Sequence, residues 1–209
     1  GAEARGRGGH GLRRLPPPAG GQADRAGEAI RQAKRPLIFC GGGVSFSGNG
    51  ALLRRLAERV QAPVCLSMMG LSSVPPDSQY YLGLVGMHGT ATANMAVGKC
   101  DLLITVGALF SDRVAGNRVK FAEDAAVVHI DIDKSEISKN VAADYSLWGD
   151  AVTCLARLTE RIPPARDTGW LHEVLRHKAL NGLPDVTGEG ERVNPREVIL
   201  ALKAVAGPE

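Results

Sequence analysis

The 209 residues are enough for one sizeable domain with extensions at its ends. Apolar residues make up 44% of the chain and aromatic residues 4%, so a core would consist mainly of Leu, Val, Ile and Ala. The 25 basic and 22 acidic residues give a net charge of +3, and the near balance argues against a nucleic-acid-binding surface. The sequence has no long apolar run and no apolar signal core at its N-terminus, so it predicts no membrane span.

The four cysteines are Cys40, Cys65, Cys100 and Cys154, and none of them forms a C-x-x-C pair. This spacing argues against a zinc site or a redox motif. We interpret the cysteines as small buried hydrophobic residues, and a reducing cytoplasm is then the default compartment.

Short apolar runs alternate with amphipathic segments along the chain. Residues 1–23 are rich in Gly, Arg and Pro and are interpreted as a flexible linker. In chain order, the predicted elements are a helix (Ala26–Lys34), a strand (Pro36–Cys40), a helix (Ser47–Val60), a strand (Pro63–Leu66), a mostly loop segment (Ser67–Gly83), a helix after His88, strands at Leu102–Val106, Ala126–Asp133 and Leu147–Trp148, and helices at Ala151–Arg161, Trp170–Leu180 and Arg196–Val205.

This alternation predicts an α/β fold with a doubly wound, Rossmann-like parallel sheet. We place the sheet domain at residues 24–162. Residues 163–209 are interpreted as a linker and the start of a further domain, because the last helix carries apolar residues without an obvious partner. Ligands of such folds bind at the carboxyl ends of the strands, so the loops that follow the strands are the candidate site.

The segment with the most information is the turn Gly86-Met87-His88-Gly89. Glycines on both sides of a His leave the backbone open for close approach at a helix start. Free N–H groups and the positive end of the helix favour an anionic ligand there. His88 could contact a planar cofactor, and it has no paired base or nucleophile that would make it catalytic.

Two further glycine-containing segments follow predicted strands. Gly41, Gly42 and Gly43 resemble a dinucleotide-binding loop but lack the full G-x-G-x-x-G spacing, and a tight strand-to-helix turn is the alternative. Ser67 to Gly70 and Gly107 to Arg113 follow two other strands. The convergence of these loops at one edge is a stronger signal than any one motif.

Acidic residues mark the end of the Ala126–Asp133 strand. Asp131 and Asp133 are predicted to share one face, where a carboxylate suits ribose hydroxyls, although solvated or helix-capping acids are the alternative. Asp112 and Arg113 could meet a pyrophosphate or form a surface ion pair. Asp150 could receive a cofactor hydroxyl, but a helix N-cap role alone explains it. We find no P-loop, metal-ligand cluster or catalytic triad, and we decline a magnesium site.

At these residues the chain resembles a known family. The segments RPLIFCGGGV, APVCLSMMGLSSVPPD, LGLVGMHGT, CDLLITVGALFSDRVAGN and HIDIDKSEISKN occur in the order and spacing of the central domain of acetolactate synthase (acetohydroxyacid synthase) large subunits, which are thiamine diphosphate enzymes. The resemblance is dense over about residues 30 to 160. Related decarboxylases share this domain and are an alternative.

The resemblance implies a three-domain enzyme that joins pyruvate to a second 2-oxo acid in branched-chain amino-acid synthesis. The central domain would bind FAD in a largely structural role, and the flanking domains would hold thiamine diphosphate and Mg²⁺. It also implies a homo-oligomer and a regulatory small subunit, with no catalytic residue in this chain. The implied FAD contacts are Gly41, Gly42, Gly43, Ser67, Met68, Met69, Met87, His88, Gly89, Gly107, Asp112, Arg113, Asp131 and Asp150.

The chain departs from the family pattern at two points. Leu109 stands where the family usually has an Arg that contacts the flavin cofactor. The family's activating glutamate and its magnesium-binding motif lie outside these residues, so the piece alone is expected to be inactive. The alternative from another class is a non-catalytic nucleotide-binding or oligomerisation module.

Overall fold

The computed structural model describes residues 20–111, 114, 121–164, 167–182 and 194–206. Its elements are α1 (Gly20–Gln32), β1 (Pro36–Cys40), α2 (Gly42–Phe46), α3 (Gly50–Val60), β2 (Val64–Leu66), a 3-10 helix (Met68–Ser73), β3 (Tyr81–Leu84), α4 (Ala91–Lys99), β4 (Leu102–Val106), β5 (Ala126–Asp131), β6 (Tyr145–Trp148), α5 (Ala151–Arg161), α6 (Trp170–Leu180) and α7 (Pro195–Ala206).

The six strands form one parallel sheet in the order β3-β2-β1-β4-β5-β6. This is the order of a doubly wound nucleotide-binding fold, so the predicted fold class is confirmed. After β3 the chain crosses to the other side of β1 and continues with β4. The carboxyl ends of β1 and β4 therefore flank the point where the strand order reverses.

Every residue of β1 and of β4 is buried, because helices cover both faces of the sheet. Ile38, Ile104 and Val128 point to one face, where α1, α3 and α5 pack. Leu37 and Leu103 point to the other face, where α4 and α6 pack. This alternation follows from the two-residue repeat of a strand and places an apolar core on each side.

β5 ends two residues earlier and β6 begins two residues earlier than predicted, and three differences are larger. β3 lies inside the segment that was predicted to be mostly loop, because four residues that include Gly83 carry little strand signal. α1 begins at Gly20, and its Ala23 is only 1% exposed, although residues 20–23 were assigned to the flexible linker. The helix predicted over Ser47–Val60 is divided into α2 and α3. Core packing decides the first two cases over local composition, whereas the division of the helix falls at Gly48, whose φ is +68°.

α6 packs on the sheet domain although it lies in the segment that we assigned to a linker. Trp170, Leu171 and Val174 are buried in the two cores, and the Trp170 indole Nε1 donates to the Pro36 carbonyl oxygen at 3.0 Å. Lys99 on α4 pairs with Glu173 at 3.1 Å. α7 differs, since none of its residues is buried.

All four cysteines are free and buried, as predicted. Burial raises the pKa of the Cys40 thiol to about 11, which keeps it protonated at neutral pH. Among the described helices, none combines the length and the apolar character needed to cross a membrane.

Candidate functional site at the carboxyl edge of the sheet

The three glycines after β1 lie at the reversal point of the sheet and pack against the end of β4. A Cβ atom on Gly41 would overlap the Gly107 carbonyl oxygen and the Ala108 Cα, and one on Gly43 would lie 2.9 Å from the Gly107 Cα. Gly107 itself has a φ of +53°, a left-handed conformation that favours glycine. These glycines therefore allow two backbone segments to touch.

The contacts between these two backbone segments use N–H groups that would otherwise be free to bind a phosphate. Gly41 N–H donates to the Val106 carbonyl at 3.0 Å, and Gly43 N–H donates to the Gly107 carbonyl at 3.1 Å. The three glycines are thus a tight strand-to-helix turn, the alternative that sequence reasoning left open. Their part in binding is to bring the loops together at the edge, since two of their three N–H groups are already bonded.

The segment after β2 presents two methionines. Met68 and Met69 begin the 3-10 helix and are 63% and 58% exposed. Ser67 N–H donates to the Cys40 carbonyl at 2.9 Å, and a Cβ on Gly70 would overlap the same carbonyl oxygen. The helix is therefore held against the end of β1, with its methionine side chains outside.

The turn before α4 is fixed by a side chain that sequence reasoning missed. Asn94 accepts the Gly86 N–H at 2.8 Å and donates to the Gly86 carbonyl at 3.0 Å. Gly89 N–H closes the turn on the Gly86 carbonyl at 2.9 Å. Met87 and His88 are consequently exposed at the tip of an ordered turn. Sequence reasoning missed Asn94 because a helix residue that bonds a glycine before the helix leaves no local sequence pattern.

The start of α4 is capped by its own chain. Thr90 is the N-cap, and its hydroxyl accepts the Ala93 N–H at 3.0 Å and donates to the Leu82 carbonyl at 2.7 Å. One of the N–H groups that we expected to face an anion is therefore already satisfied. A Thr directly before the helical run was the available signal for this cap.

Asp131 and Asp133 have different environments, so the prediction that they share one strand face is wrong. β5 ends at Asp131, which is 7% exposed, and the chain then turns. The Asp131 carboxylate accepts the Asp133 N–H at 2.8 Å. The exposed Asp133 caps the following turn, since its carboxylate accepts from the N–H and the hydroxyl of Ser135 at 2.9 and 2.7 Å.

These environments move the two acids in opposite directions. Burial raises the pKa of the Asp131 carboxyl, although the Asp133 N–H and nearby His129 partly oppose the shift. The hydrogen bonds from Ser135 lower the pKa of the Asp133 carboxyl. A buried acid at the end of a strand is a typical ligand-binding residue. Asp133 is explained by its turn.

His129 lies behind Asp131 on the same strand. It is buried, it contacts Phe110 edge-on at 5.4 Å between ring centroids, and neither ring nitrogen has a hydrogen-bond partner among the described residues. Burial lowers the pKa of His129, so its ring is neutral at neutral pH. At neutral pH, His129 therefore adds no positive charge beside Asp131.

Asp150 caps α5, as expected. Its carboxylate accepts the Thr153 N–H at 3.1 Å. The preceding Gly149 N–H donates to the Asp131 carbonyl at 3.0 Å, so the two acids lie at the carboxyl ends of adjacent strands. Asp112 and Arg113 lie outside the described residues.

Large exposed apolar side chains mark the whole carboxyl edge. Each strand either ends in one or is followed by one: Phe46, Met68, Met69, Met87, Leu109, Ile132 and Trp148. Sequence reasoning singled out the three methionines and Leu109 but missed the other three. The other large exposed apolar residues of the described chain lie on α6 and α7: Leu180, Val198, Ile199, Leu200, Leu202 and Val205. Within the sheet itself they are gathered at this one edge, which is typical of a surface that binds a ligand or a partner. The described residues contain no group of three His, Cys, Asp or Glu side chains that could hold a metal ion.

The parallel sheet and its reversal point define a doubly wound α/β domain, a class whose ligands bind at the carboxyl edge where the exposed apolar residues and the buried acid lie. The profile of the family described as "Thiamine pyrophosphate enzyme, central domain" matches residues 23–158. The chain belongs to this family of thiamine pyrophosphate enzyme domains.

Two relatives with curated names are acetolactate synthase large subunits. The chain is 41% identical to a probable acetolactate synthase large subunit of Methanocaldococcus jannaschii, over 88% of this chain and 32% of that protein. It is 42% identical to the acetolactate synthase large subunit of Parasynechococcus marenigrum, over 91% of this chain and 31% of that protein. The chain thus spans about a third of the length of these relatives.

Proposed function

We propose that this chain is the FAD-binding central domain of an acetolactate synthase large subunit. Its contribution is to hold the cofactor at the carboxyl edge of the sheet and to support the rest of the enzyme. The observation that carries the proposal is the apolar carboxyl edge with the buried Asp131 beside it. The identity to large subunits over most of this chain favours the synthase over a related decarboxylase.

The residues present fit such a cofactor. Met68, Met69 and Met87 offer soft apolar surface for a flat ring system on the β2 and β3 side of the edge. Asp131 and Asp150 offer carboxylates for hydroxyl or amino groups on the β5 and β6 side. The glycines at the reversal point hold these two sides together. When bound, FAD would cover this edge as a flat, charged molecule and would have a structural role.

The synthase reaction itself would belong to the whole protein. Condensation of pyruvate with a second 2-oxo acid would need thiamine diphosphate and Mg²⁺, held by flanking domains. The chain would act with those domains, in a homo-oligomer, beside a regulatory small subunit. We expect no synthase activity from these 209 residues alone.

Titration of the purified chain with FAD tests the proposal. We expect saturable quenching of flavin fluorescence and a higher melting temperature, because a ligand that binds only the native state stabilises it. Asp131→Asn should weaken binding by about 1.5–3 kcal/mol, the range for losing a hydrogen bond to a charged group. Asp133→Asn is the matched control and should bind normally. Absence of FAD binding would contradict the proposal.

One observation favours a second candidate. Leu109, where the family usually has Arg, is exposed on the edge, which suits a non-catalytic module whose cofactor site has been lost. The same titration separates the two candidates. If Leu109→Arg is needed to gain FAD binding, the chain as it stands is such a module.

A further inference from the structure

One row of residues across the sheet is polar although it lies in an apolar core. Thr105 on β4 pairs in register with His129 on β5, and His129 pairs with Ser146 on β6. Register partners of a parallel sheet point to the same face, here the face on which α4 and α6 pack. Thr105 is 0% exposed and His129 is 1% exposed. The row therefore places an ionisable ring beside a hydroxyl, away from water.

The polar atoms of this pair are unsatisfied. Thr105 Oγ1 and both ring nitrogens of His129 have no hydrogen-bond partner among the described residues. A buried polar group without a partner costs free energy, and a fully buried position ordinarily holds an apolar residue. The pair thus weakens the core at this point, and the cofactor function proposed above uses neither side chain.

The side chains that cover His129 belong to the segment between β4 and β5. The Phe110 ring contacts the His129 ring edge-on at 5.4 Å between centroids, and the Phe121 ring lies 5.7 Å from that of Phe110. We call the rings of Phe110 and Phe121 the aromatic cover. The Asn140 Nδ2 donates to the Phe110 carbonyl at 2.9 Å. Ala122 has a φ of +52°, a left-handed conformation that strains a residue other than glycine, so the cover includes strained backbone.

The charged groups that face His129 come from its own strand and from the segment after it. They are Asp131, two residues further along β5, and Glu136. Both favour the charged ring, but burial outweighs them and lowers the pKa of His129 below its ordinary value. The neighbours on the two adjacent strands and in the aromatic cover are uncharged: Thr105, Ser146 and Phe110. A charged ring would therefore be stable only if water reached it.

Water reaches this ring with the least disruption if the aromatic cover moves, because the other neighbours belong to the sheet. We propose that His129, beside Thr105, is an acid-sensitive switch: protonation of His129 lifts the aromatic cover from the sheet while the six strands stay paired. The step adds one proton to a ring nitrogen and breaks no covalent bond. The segment after β4, which forms part of the carboxyl edge, would then respond to pH. This switch is independent of the cofactor function proposed above.

The direction and the size of the effect follow from proton linkage. With the cover open, the pKa of the His129 ring returns towards the ordinary value of about 6.5, and with the cover closed it is lower. The closed state is therefore favoured at neutral pH. It loses stability as the pH falls below about 6.5, until the pH is below the pKa of the closed state. One proton changes the ratio of open to closed molecules by at most about tenfold per pH unit.

The four phenylalanines of the chain allow a direct test. With 4-fluorophenylalanine at all four positions, fluorine NMR follows each ring between pH 7.5 and pH 4.5. We expect the Phe110 and Phe121 signals to move reversibly towards the position of a solvent-exposed ring as the pH falls. Phe46, which is 77% exposed, is the internal reference and should not move. The far-UV circular dichroism should stay unchanged, because the sheet stays folded.

Variants then assign the effect to the pair. His129→Gln removes the ionisable ring, so the aromatic cover should stay closed over the same pH range. His172→Gln is the matched control, because His172 is exposed on α6, and it should open like the wild type. Thr105→Val removes the unsatisfied hydroxyl and keeps its shape. It should shift opening to lower pH, because it stabilises the closed state and makes the surroundings of the ring more apolar.

The wild type gives a check that does not depend on the folding of any variant. The proton NMR signals of the His129 ring should titrate together with the movement of Phe110. Reversible movement of the cover that is absent in His129→Gln and present in His172→Gln supports the switch. The switch is overturned if the movement persists in His129→Gln or if the far-UV circular dichroism is lost in the same transition. Fluorine signals of Phe110 and Phe121 that stay fixed down to pH 4.5, with or without titration of His129, also overturn it.

Discussion

Asp131 and Asp133 carry the same side chain and lie two residues apart, yet the pKa values of their carboxyl groups shift in opposite directions. Asp131 closes a buried strand, and its carboxyl has a raised pKa because it has lost water. Asp133 lies outside in the turn, and hydrogen bonds from Ser135 lower its pKa. At neutral pH the first carboxylate therefore destabilises the native state, and the second stabilises it.

Asparagine at these positions should have opposite effects on stability. Asp131→Asn should raise the melting temperature at pH 7.5, because it removes a buried charge and keeps an acceptor for the Asp133 N–H. A raised native pKa means that the protonated state favours folding, so this gain should shrink as the pH falls to 4.5. Melting curves at the two pH values check this. An unchanged gain would assign the effect to something other than ionisation.

The companion variant Asp133→Asn should lower the melting temperature at pH 7.5. Its wild-type carboxyl has a lowered native pKa, so the stability it contributes is present above the unfolded pKa of about 3.9 and is lost only below it. The loss should therefore persist at pH 4.5. Equal behaviour of the two variants would contradict the assigned environments.

The gain in stability of Asp131→Asn would come with weaker FAD binding, because binding sites commonly exchange stability for function.

At the scale of the elements, α6 is a structural part of the sheet domain. Its first turn places Trp170 beneath β1, and its other side chains reach α4 and β3, where Lys178 donates to the Tyr81 carbonyl at 2.6 Å. The Thr92 hydroxyl also lies 3.0 Å from the His177 Nδ1. The family profile ends at residue 158, before this helix, and the packing shows that α6 is nevertheless attached to the sheet.

Trp170→Ala should cost about 3–5 kcal/mol in the free energy of unfolding, the range for removing a large buried aromatic side chain. The loss of its hydrogen bond to Pro36 is part of this effect. Leu180→Ala is the matched control on the same helix, since Leu180 is exposed, and it should change stability by no more than about 0.5 kcal/mol. Urea unfolding measures both, and equal effects would show that α6 is not part of the core.

At the scale of the whole molecule, the apolar side chains are distributed asymmetrically. The two faces of the sheet are covered by helices, whereas its carboxyl edge exposes at least one large apolar residue for each strand. The cost of exposing this edge to water is offset if a ligand or another part of the protein covers it. The proposed cofactor is such a cover.

Oxidation of the methionines measures whether a bound cofactor covers this edge. Limited oxidation with hydrogen peroxide should modify Met68, Met69 and Met87 rapidly, because all three are exposed, and Met95 more slowly, because it packs against the core on α4. Saturating FAD should slow oxidation of the first three and leave Met95 unchanged. Peptide mass spectrometry reads each site. Equal rates with and without FAD would mean that the cofactor does not cover the methionine side of the edge.

Much of the architecture follows from local sequence. β1, β4, α5 and α6 have the predicted boundaries, because fully apolar short runs and segments with helical apolar spacing carry their own signal. The edge position of the site also follows, since parallel strands bring their carboxyl ends together. β3 was missed because its four residues gain their strand conformation from pairing with β2.

The sequence by itself determined the fold class, the family resemblance and the loops that form the candidate site, because each depends on patterns within one segment or on their order. Only the tertiary structure decided which groups remain free for a ligand. The N–H groups of Gly41 and Gly43 are used by β4, Asn94 fixes the His88 turn, and Trp148 lies next to Asp131. These facts depend on contacts between residues far apart in the chain, where burial and hydrogen bonding are set by packing and not by local sequence.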